Sequence, residues 1–175
     1  GRTHLMDAMP IDFAEELYAW SSQLKSSKKM LLTLEKKLLE LPQGGTAVGS
    51  EINAHKQFSR YFAQEMTKLL GNKIKCVKSE NFYHELSAQD CSVQLSGELK
   101  NLSVILMKIS NDLRWMNSGP LAGLSEIELK PLQPGSSIMP GKVNPVIPEA
   151  VAMASADVIG NDVTITVAAQ SGSFQ

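Results

Sequence analysis

The chain has 175 residues, of which 43% are hydrophobic and 20% are charged, and this composition predicts one folded domain with a hydrophobic core. Seventeen basic and eighteen acidic residues leave a net charge of -1, so the overall charge does not favour binding to nucleic acid or to an anionic membrane. Cys76 and Cys91 lack CxxC spacing and are typical of a reduced, intracellular protein. There is no run of about 18 apolar residues and no secretory leader, which predicts a soluble protein. The start at Gly1 and the abrupt end at "SGSFQ" lead us to expect a piece of a longer polypeptide.

The first two predicted helices follow from apolar residues spaced by three and four positions. Asp12 and Glu15 form a capping-box pattern at the start of the first helix. This helix is expected to end at Pro42, because "PQGG" interrupts the helical hydrogen bonds. The second helix is predicted over about 51–70. Residues 73–80 are expected to form a polar connection.

The third predicted helix, near 87–117, is apolar on more than one side. Its leucines repeat in alternating steps of four and three, which is the seam that packs helices in bundles. At 1.5 Å per residue it would be about 45 Å long, which favours a bundle of long helices completed by other subunits. A fourth helix should begin near Asn144–Pro145, although residues 163–167 are also compatible with a strand.

The segment between these two helices, residues 118–141, has no sustained periodicity and is predicted to be a functional loop. Its last part leads into "PGSSIMPGKVNP", which delivers backbone amides, two hydroxyls and one ammonium group to the start of a helix. Such a position favours anions, with Lys142 supplying charge, Asn144 a directed amide, and Ser136 and Ser137 hydroxyl groups. The alternative interpretation is a Ser-Gly-Pro turn with a solvated lysine.

A second cluster of polar residues lies at the amino end, in "GRTH". Thr3 and His4 precede the first helix, and Glu149 is a candidate to orient the His4 ring. His55 and His84 lack metal-ligand spacing and are interpreted as structural or surface residues. No P-loop, GxGxxG, HExxH or Ser-His-Asp signature occurs, which disfavours nucleotide-dependent and zinc chemistry.

Three motifs occur in the same order as the landmarks of one enzyme superfamily. They are "GRTHLMDAMP" at residues 1–10, "GGTAVG" at 44–49 and "GSSIMPGKVNP" at 135–145. On these motifs, and over essentially its whole length, the chain resembles the fumarase/aspartase superfamily. "GGTAVG", "NFYHELSAQD" and the ending "GSFQ" are most similar to class II fumarate hydratases, whereas "GRTH" and "MPGKVNP" occur in aspartases as well.

The resemblance implies an all-α fold, the long-helix bundle of the superfamily's central domain with an extended signature loop. It implies that residues 1–175 form this central helical-bundle domain and that the family's amino- and carboxy-terminal domains are absent from the chain. Domains of this kind associate as a homotetramer with a bundle of twenty helices, and each active site draws on three subunits. The prediction of long helices that are apolar on several sides agrees with such an assembly.

The activity implied by the resemblance is that of a carbon–oxygen lyase of the tricarboxylic acid cycle, which hydrates fumarate to malate reversibly without cofactor or metal. Ser136 would remove the C3 proton of malate, with loop amides and Lys142 stabilising its alkoxide. Lys142 and Asn144 would hold the carboxylate whose charge doubles as the proton leaves, giving an aci-carboxylate intermediate. Ser137 and Thr3 would bind substrate.

The resemblance assigns the proton of the departing or added water to His4, paired with Glu149. The missing amino-terminal part of the family carries further substrate-binding residues, so we expect the isolated chain to be inactive. Two alternatives remain: a fragment of an aspartate ammonia-lyase, and a helical oligomerisation module without chemistry of its own. The expected partners are a C4 dicarboxylate and further copies of the chain, with no nucleic acid and no membrane. The expected location is the cytoplasm, or the mitochondrial matrix in a eukaryote.

Overall fold

A computed structural model describes all 175 residues of the chain. Its elements in chain order are β1 (Arg2–Thr3), β2 (Met6–Asp7), α1 (Phe13–Leu38), β3 (Glu40–Leu41), α2 (Phe58–Leu69), β4 (Val77–Lys78), α3 (Phe82–Ser87), α4 (Asp90–Met116) and α5 (Val146–Ala169). Helices dominate, and every strand has two residues. The predicted all-α class is confirmed.

Helices α1, α4 and α5 lie close to where the sequence predicts them. Residues 163–167, for which helix and strand were both open, are helical within α5. At the start of α1, the Glu15 N–H donates to the Asp12 carbonyl over 3.0 Å, whereas the Asp12 side chain makes no capping hydrogen bond. The capping-box pattern therefore predicts the start of α1 correctly, although its side-chain hydrogen bonds do not form.

The second predicted helix starts too early in the sequence-based assignment. Helix α2 begins at Phe58 rather than near Glu51, because Glu51 and Asn53 have left-handed backbone conformations with φ of 56° and 64°. Such a backbone cannot continue a right-handed helix. Just before them, Gly49 has φ of 104°, and a Cβ there would lie 2.6 Å from the Tyr83 nitrogen of α3. The "GGTAVG" segment is thus a close-packed turn.

The residues form two compact units, of which the first comprises residues 1–28 and 100–159. Trp20 is its buried aromatic residue, and the Lys108 ammonium lies 6.0 Å from the centre of its ring. Lys108 also pairs with Asp112 at 2.5 Å, and this hydrogen bond is the main cause that raises the pKa of Lys108. The unit contains the β1–β2 hairpin and the whole connection between α4 and α5.

The second unit comprises residues 29–99 and 160–175, and contains α2, α3 and the parallel β3–β4 pair. Its buried hydrophobic residues are Ala63, Cys76 and Phe82, and both cysteines of the chain are free. Within this unit, the buried Ser96 hydroxyl donates to the carboxylate of Asp162 over 2.8 Å. The assignment of residues 1–175 to a single domain stays a prediction.

Helix α5 has a largely uncovered apolar surface. By length and composition alone it could cross a membrane, a test that core helices of soluble proteins also pass. The helix has no unbroken run of about 18 apolar residues, because Asp157 and Asp162 interrupt its apolar pattern. Only 11% of its most apolar window is buried, and Met153 and Val163 are 69% and 61% exposed.

Candidate functional site

The signature loop, residues 134–145, folds into a tight turn around Ser136. The Ile138 N–H donates to the Ser136 hydroxyl oxygen over 3.2 Å, and the Met139 N–H donates to the Ser136 carbonyl over 3.2 Å. A further turn follows, in which the Lys142 N–H donates to the Met139 carbonyl over 3.1 Å. Ser136 is half-buried, whereas Lys142 is exposed. The turn therefore supplies one backbone donor directly to the oxygen that the resemblance names as the base.

The two glycines of this loop are required by its geometry. A Cβ at Gly135 would overlap the carbonyl oxygen of Lys142, so the two backbones meet where no side chain fits. Gly141 has φ of 82°, a left-handed conformation that other residues rarely adopt. The backbone position of Lys142 thus depends on two glycines. Gly135 leaves space for the Lys142 carbonyl group, and Gly141 adopts the left-handed conformation that precedes Lys142.

The loop ends at the amino terminus of α5. The Glu149 N–H donates to the Pro145 carbonyl over 3.1 Å, which closes the first turn of the helix. Lys142 and Asn144 lie immediately before this turn. The positive end of the helix dipole and a lysine four residues before the helix both favour a bound anion in this region.

A cavity of about 880 Å³ in the first unit brings three predicted site residues together. Lys142, Asn144 and Glu149 all line it. The predicted anion-binding residues and the predicted partner of His4 thus share one concave space, whose size is typical of small-molecule sites.

Polar residues at the end of α4 also line this cavity and were not predicted from the sequence. They are Asn111, Arg114 and Asn117. The Arg114 guanidinium donates to the Asn111 side-chain oxygen over 3.0 Å. They lie outside the apolar repeat of α4. The signal that could have found these three is a cluster of amide and guanidinium groups at the carboxy-terminal end of α4.

A second cavity, of about 590 Å³, lies on the serine side of the loop. Ser136, Ser137 and Lys142 line it together. Since Lys142 borders both cavities, it lies between the proposed base and the cluster of Asn144 and Glu149.

Thr3 and His4 lie elsewhere in the first unit, on the β1–β2 hairpin. Thr3 pairs with Met6, and His4 and Leu5 form the turn with φ of 53° and 63°. This is the geometry of a two-residue hairpin turn that usually selects glycine or asparagine, so His4 stands at a strained, exposed tip. His4 makes no hydrogen bond or ion pair with Glu149 within this chain, and the proposed pairing stays a prediction.

The other two histidines have the surroundings of surface residues. His55 accepts a hydrogen bond from the Gln57 N–H over 3.2 Å. His84 lies 2.8 Å from the Asp90 carboxylate, and the hydrogen bond between them raises the pKa of His84. No group of three or more His, Cys, Asp or Glu side chains is arranged to hold a metal ion.

A long-helix fold with Lys142 and Asn144 just before its last helix defines a helical protein with a candidate site for a small anion. A family model described as Lyase matches residues 1–160. The match covers more than half of the chain, and the chain therefore belongs to this lyase family.

Proteins similar to this chain carry the names of class II fumarases. Fumarate hydratase class II 2 of Pseudomonas aeruginosa is 55% identical over 175 residues, which are 100% of this chain and 38% of that protein. Fumarate hydratase class II of Xylella fastidiosa (strain Temecula1) is 57% identical over 100% of this chain and 37% of its own length. The crystal structure of class II fumarase from Schistosoma mansoni matches with a TM-score of 0.97 at 35% identity, covering 99% of this chain and 39% of that one. The resemblance to the fumarase/aspartase superfamily is confirmed, and the chain spans 37 to 39% of the length of these proteins.

Proposed function

We propose that this chain is the central helical domain of a class II fumarate hydratase, which reversibly adds water to fumarate to give malate. The names of its relatives support the reaction and a C4 dicarboxylate substrate. The observation that carries the proposal is the cavity at the start of α5, which Lys142, Asn144 and Glu149 line together. The cation and the amide suit the binding of an anionic substrate, and the carboxylate suits a reaction in which a proton is exchanged.

Ser136 acts as the base in this proposal and removes the C3 proton of malate. A serine hydroxyl is a weak base, so its alkoxide needs stabilising contacts. The Ile138 N–H, 3.2 Å from the Ser136 oxygen, is one such donor, and Lys142 lines the same cavity as Ser136. The Ile138 donor and the positive charge of Lys142 beside the same cavity both favour the ionised form of the hydroxyl.

Lys142 and Asn144 bind the substrate carboxylate beside the carbon that loses its proton. That carboxylate gains a second negative charge in the aci-carboxylate intermediate, and fixed donors are worth most where charge develops. The helix dipole of α5 adds to the positive potential at the same place. Removing one such donor typically lowers kcat by about 100- to 1000-fold. Ser137 and Thr3 contribute further substrate contacts.

His4 and Glu149 move the proton of the water that leaves malate or adds to fumarate. Within one chain the two residues make no contact, and His4 stands exposed at the tip of the β1–β2 hairpin. An exposed histidine on a strained turn suits a residue that completes a site in another subunit. This agrees with what the resemblance to the superfamily implies, namely that each active site combines residues from three subunits of a homotetramer.

The exposed apolar surface of α5 supports this assembly. Ile147, Met153, Val163 and Val167 are 53 to 69% exposed, and only 11% of the most apolar window of the helix is buried. Burying such side chains stabilises an assembly by about 25 cal/mol per Å² of apolar area. We propose that other copies of the chain cover this surface rather than lipid. We accordingly expect the enzyme in the cytoplasm, or in the mitochondrial matrix of a eukaryote.

The test is an assay of a full-length polypeptide that carries this chain. Fumarate formed from malate is followed by its ultraviolet absorbance, and ammonia release from aspartate is measured in parallel. We expect turnover of malate and none of aspartate. Ammonia release without hydration of fumarate would instead select an aspartate ammonia-lyase.

The 175-residue chain by itself provides the matching comparison. We expect no turnover, because further substrate-binding residues of the family lie outside these residues. Turnover by the isolated chain at a rate near that of the full-length polypeptide would contradict this. Absence of activity in both proteins would favour a helical oligomerisation module.

A further inference from the structure

One ion pair in the first unit joins residues far apart in the sequence, Arg2 and Glu126. Arg2 Nη1 donates to Glu126 Oε2 over 2.9 Å, and Nη2 donates to Oε1 over 2.5 Å, across 124 positions of sequence. The two parallel bonds fix both the distance and the relative orientation of the side chains. The hydrogen bond between them is the main cause that raises the pKa of Arg2 and lowers that of Glu126.

The Glu126 side of this pair is fastened to the end of α4. The N–H groups of Glu126 and Ile127 both donate to the Met116 carbonyl, over 2.8 and 3.2 Å, and the Ser125 N–H donates to the Ser118 carbonyl over 2.7 Å. These bonds attach the segment to a long helix. Glu126 is therefore a fixed point in the first unit.

The Arg2 side carries the β1–β2 hairpin. Arg2 pairs with Asp7 across the hairpin, and the Ala8 N–H donates to the Gly1 carbonyl over 3.0 Å. Two-stranded hairpins are marginally stable alone, and this one has non-glycine residues with positive φ at its turn. The hairpin needs an outside anchor, and the bidentate bond from Arg2 to Glu126 supplies one.

His4 lies two positions beyond Arg2, which is about 7 Å of extended chain. His4 itself makes no hydrogen bond or ion pair in the structure, so the orientation of its turn depends on the hairpin. We propose that Arg2 and Glu126 are positioning residues, which hold the Thr3–His4 turn where His4 transfers a proton. This inference rests on the proposed function.

An exposed ion pair of this kind contributes little to global stability, because solvent screens it and the side chains lose freedom. Side chains of Arg2 and Glu126 are 36% and 39% exposed. The pair should therefore affect the rate of proton transfer far more than unfolding. A merely structural ion pair would show the opposite pattern.

The test uses Glu126→Gln and Arg2→Lys in a full-length polypeptide that carries this chain. Glu126→Gln keeps the side-chain size and Arg2→Lys keeps the positive charge, and each removes the paired carboxylate–guanidinium geometry. The control is Glu65→Gln, which removes a more exposed carboxylate, 64% exposed, from the 2.6 Å pair with Lys68 on α2. We expect kcat for malate to fall by about 10- to 100-fold in each of the two variants. The change in KM should be smaller, although Thr3 on the same turn is proposed to contact substrate, and the melting temperature should stay close to that of the control. The reversed pair, Arg2→Glu with Glu126→Arg, should regain part of the lost kcat.

A second readout separates this inference from the proposed function. Hydrogen exchange of the backbone amides in residues 1–12 should be faster in Glu126→Gln than in wild type and unchanged in Glu65→Gln. Unchanged exchange in Glu126→Gln, or a kcat equal to that of the control, would overturn the positioning role. A higher KM at unchanged kcat would also overturn it. Failure of the wild-type polypeptide to turn over malate would instead overturn the proposed function, whatever the exchange shows.

Discussion

The backbone of Gly135 packs directly against the carbonyl group of Lys142. A Cβ at residue 135 would overlap the Lys142 carbonyl oxygen and lie 2.6 Å from the carbonyl carbon. The position of the cation that borders both cavities of the candidate site is thus set by a glycine earlier in the same loop.

Gly135→Ala should therefore displace Lys142. We expect kcat/KM for malate to fall by about 100-fold, because a misplacement near 1 Å has an effect of that size. Far-ultraviolet circular dichroism should keep its helical signal, since the change is confined to the loop. Gly172→Ala is the control, as nothing lies within 4 Å of a Cβ there. Equal kcat/KM in the two variants would contradict the packing described.

The buried contact between Ser96 and Asp162 gives a prediction on stability. Ser96→Ala removes a 2.8 Å donor from a carboxylate whose residue is 4% exposed. We expect the free energy of unfolding to fall by about 1–2 kcal/mol, since a buried acceptor loses a partner. Urea denaturation measures it, with Ser92→Ala, on an exposed face of α4, as control. A loss no larger than that of the control would show that the bond contributes nothing.

His84 should titrate above its ordinary pKa of about 6.5, chiefly because of its hydrogen bond with Asp90. Glu85 and Glu40 add attraction in the same direction. A raised folded-state pKa means that this contact stabilises the fold below pH 6.5 and is lost as the pH rises through the folded pKa.

An NMR titration of the His84 ring measures this effect. In Asp90→Asn the pKa of His84 should move back towards its ordinary value, whereas Glu80→Gln should leave it where it is in wild type. A His84 titration that is the same in wild type and Asp90→Asn would refute the assignment.

The separation of His4 from Glu149 within one chain predicts complementation between subunits. Polypeptides with His4→Ala and with Ser136→Ala should each be inactive. If the two residues of one site come from different subunits, randomly mixed tetramers contain intact residues in about a quarter of their sites. Coexpression of the two variants, followed by the malate assay, should therefore recover activity. No recovery in mixed tetramers would indicate that His4 and Ser136 act within one subunit.

The long helices were accessible from the sequence because their residues repeat with the period of the α-helix. Leu95, Leu99 and Leu102 continue one seam, and Asn144–Pro145 marks a helix start by the conformation of proline. Two-residue strands carry no comparable period. Glu40 pairs with Val77 only because the fold brings these segments together.

The candidate site was predictable where its residues are close in the sequence. Lys142, Asn144 and Glu149 lie within one loop and one helical turn, and the cavity brings them together. Arg2 and Glu126 are 124 positions apart, and no local pattern relates them. The positive φ of His4 was equally hidden, since a histidine is a much weaker sign of the left-handed conformation than a glycine.

The rate of fumarate formation from saturating malate by Lys142→Ala and Ser136→Ala tests the central proposal most directly. Both residues border the same cavity, and one is proposed to stabilise the charge that the other creates. In a full-length polypeptide that carries this chain, we expect each substitution to lower kcat by about 100-fold or more, with the oligomeric state unchanged from wild type. A rate near wild type in either variant would contradict the proposal that this loop carries out the reaction.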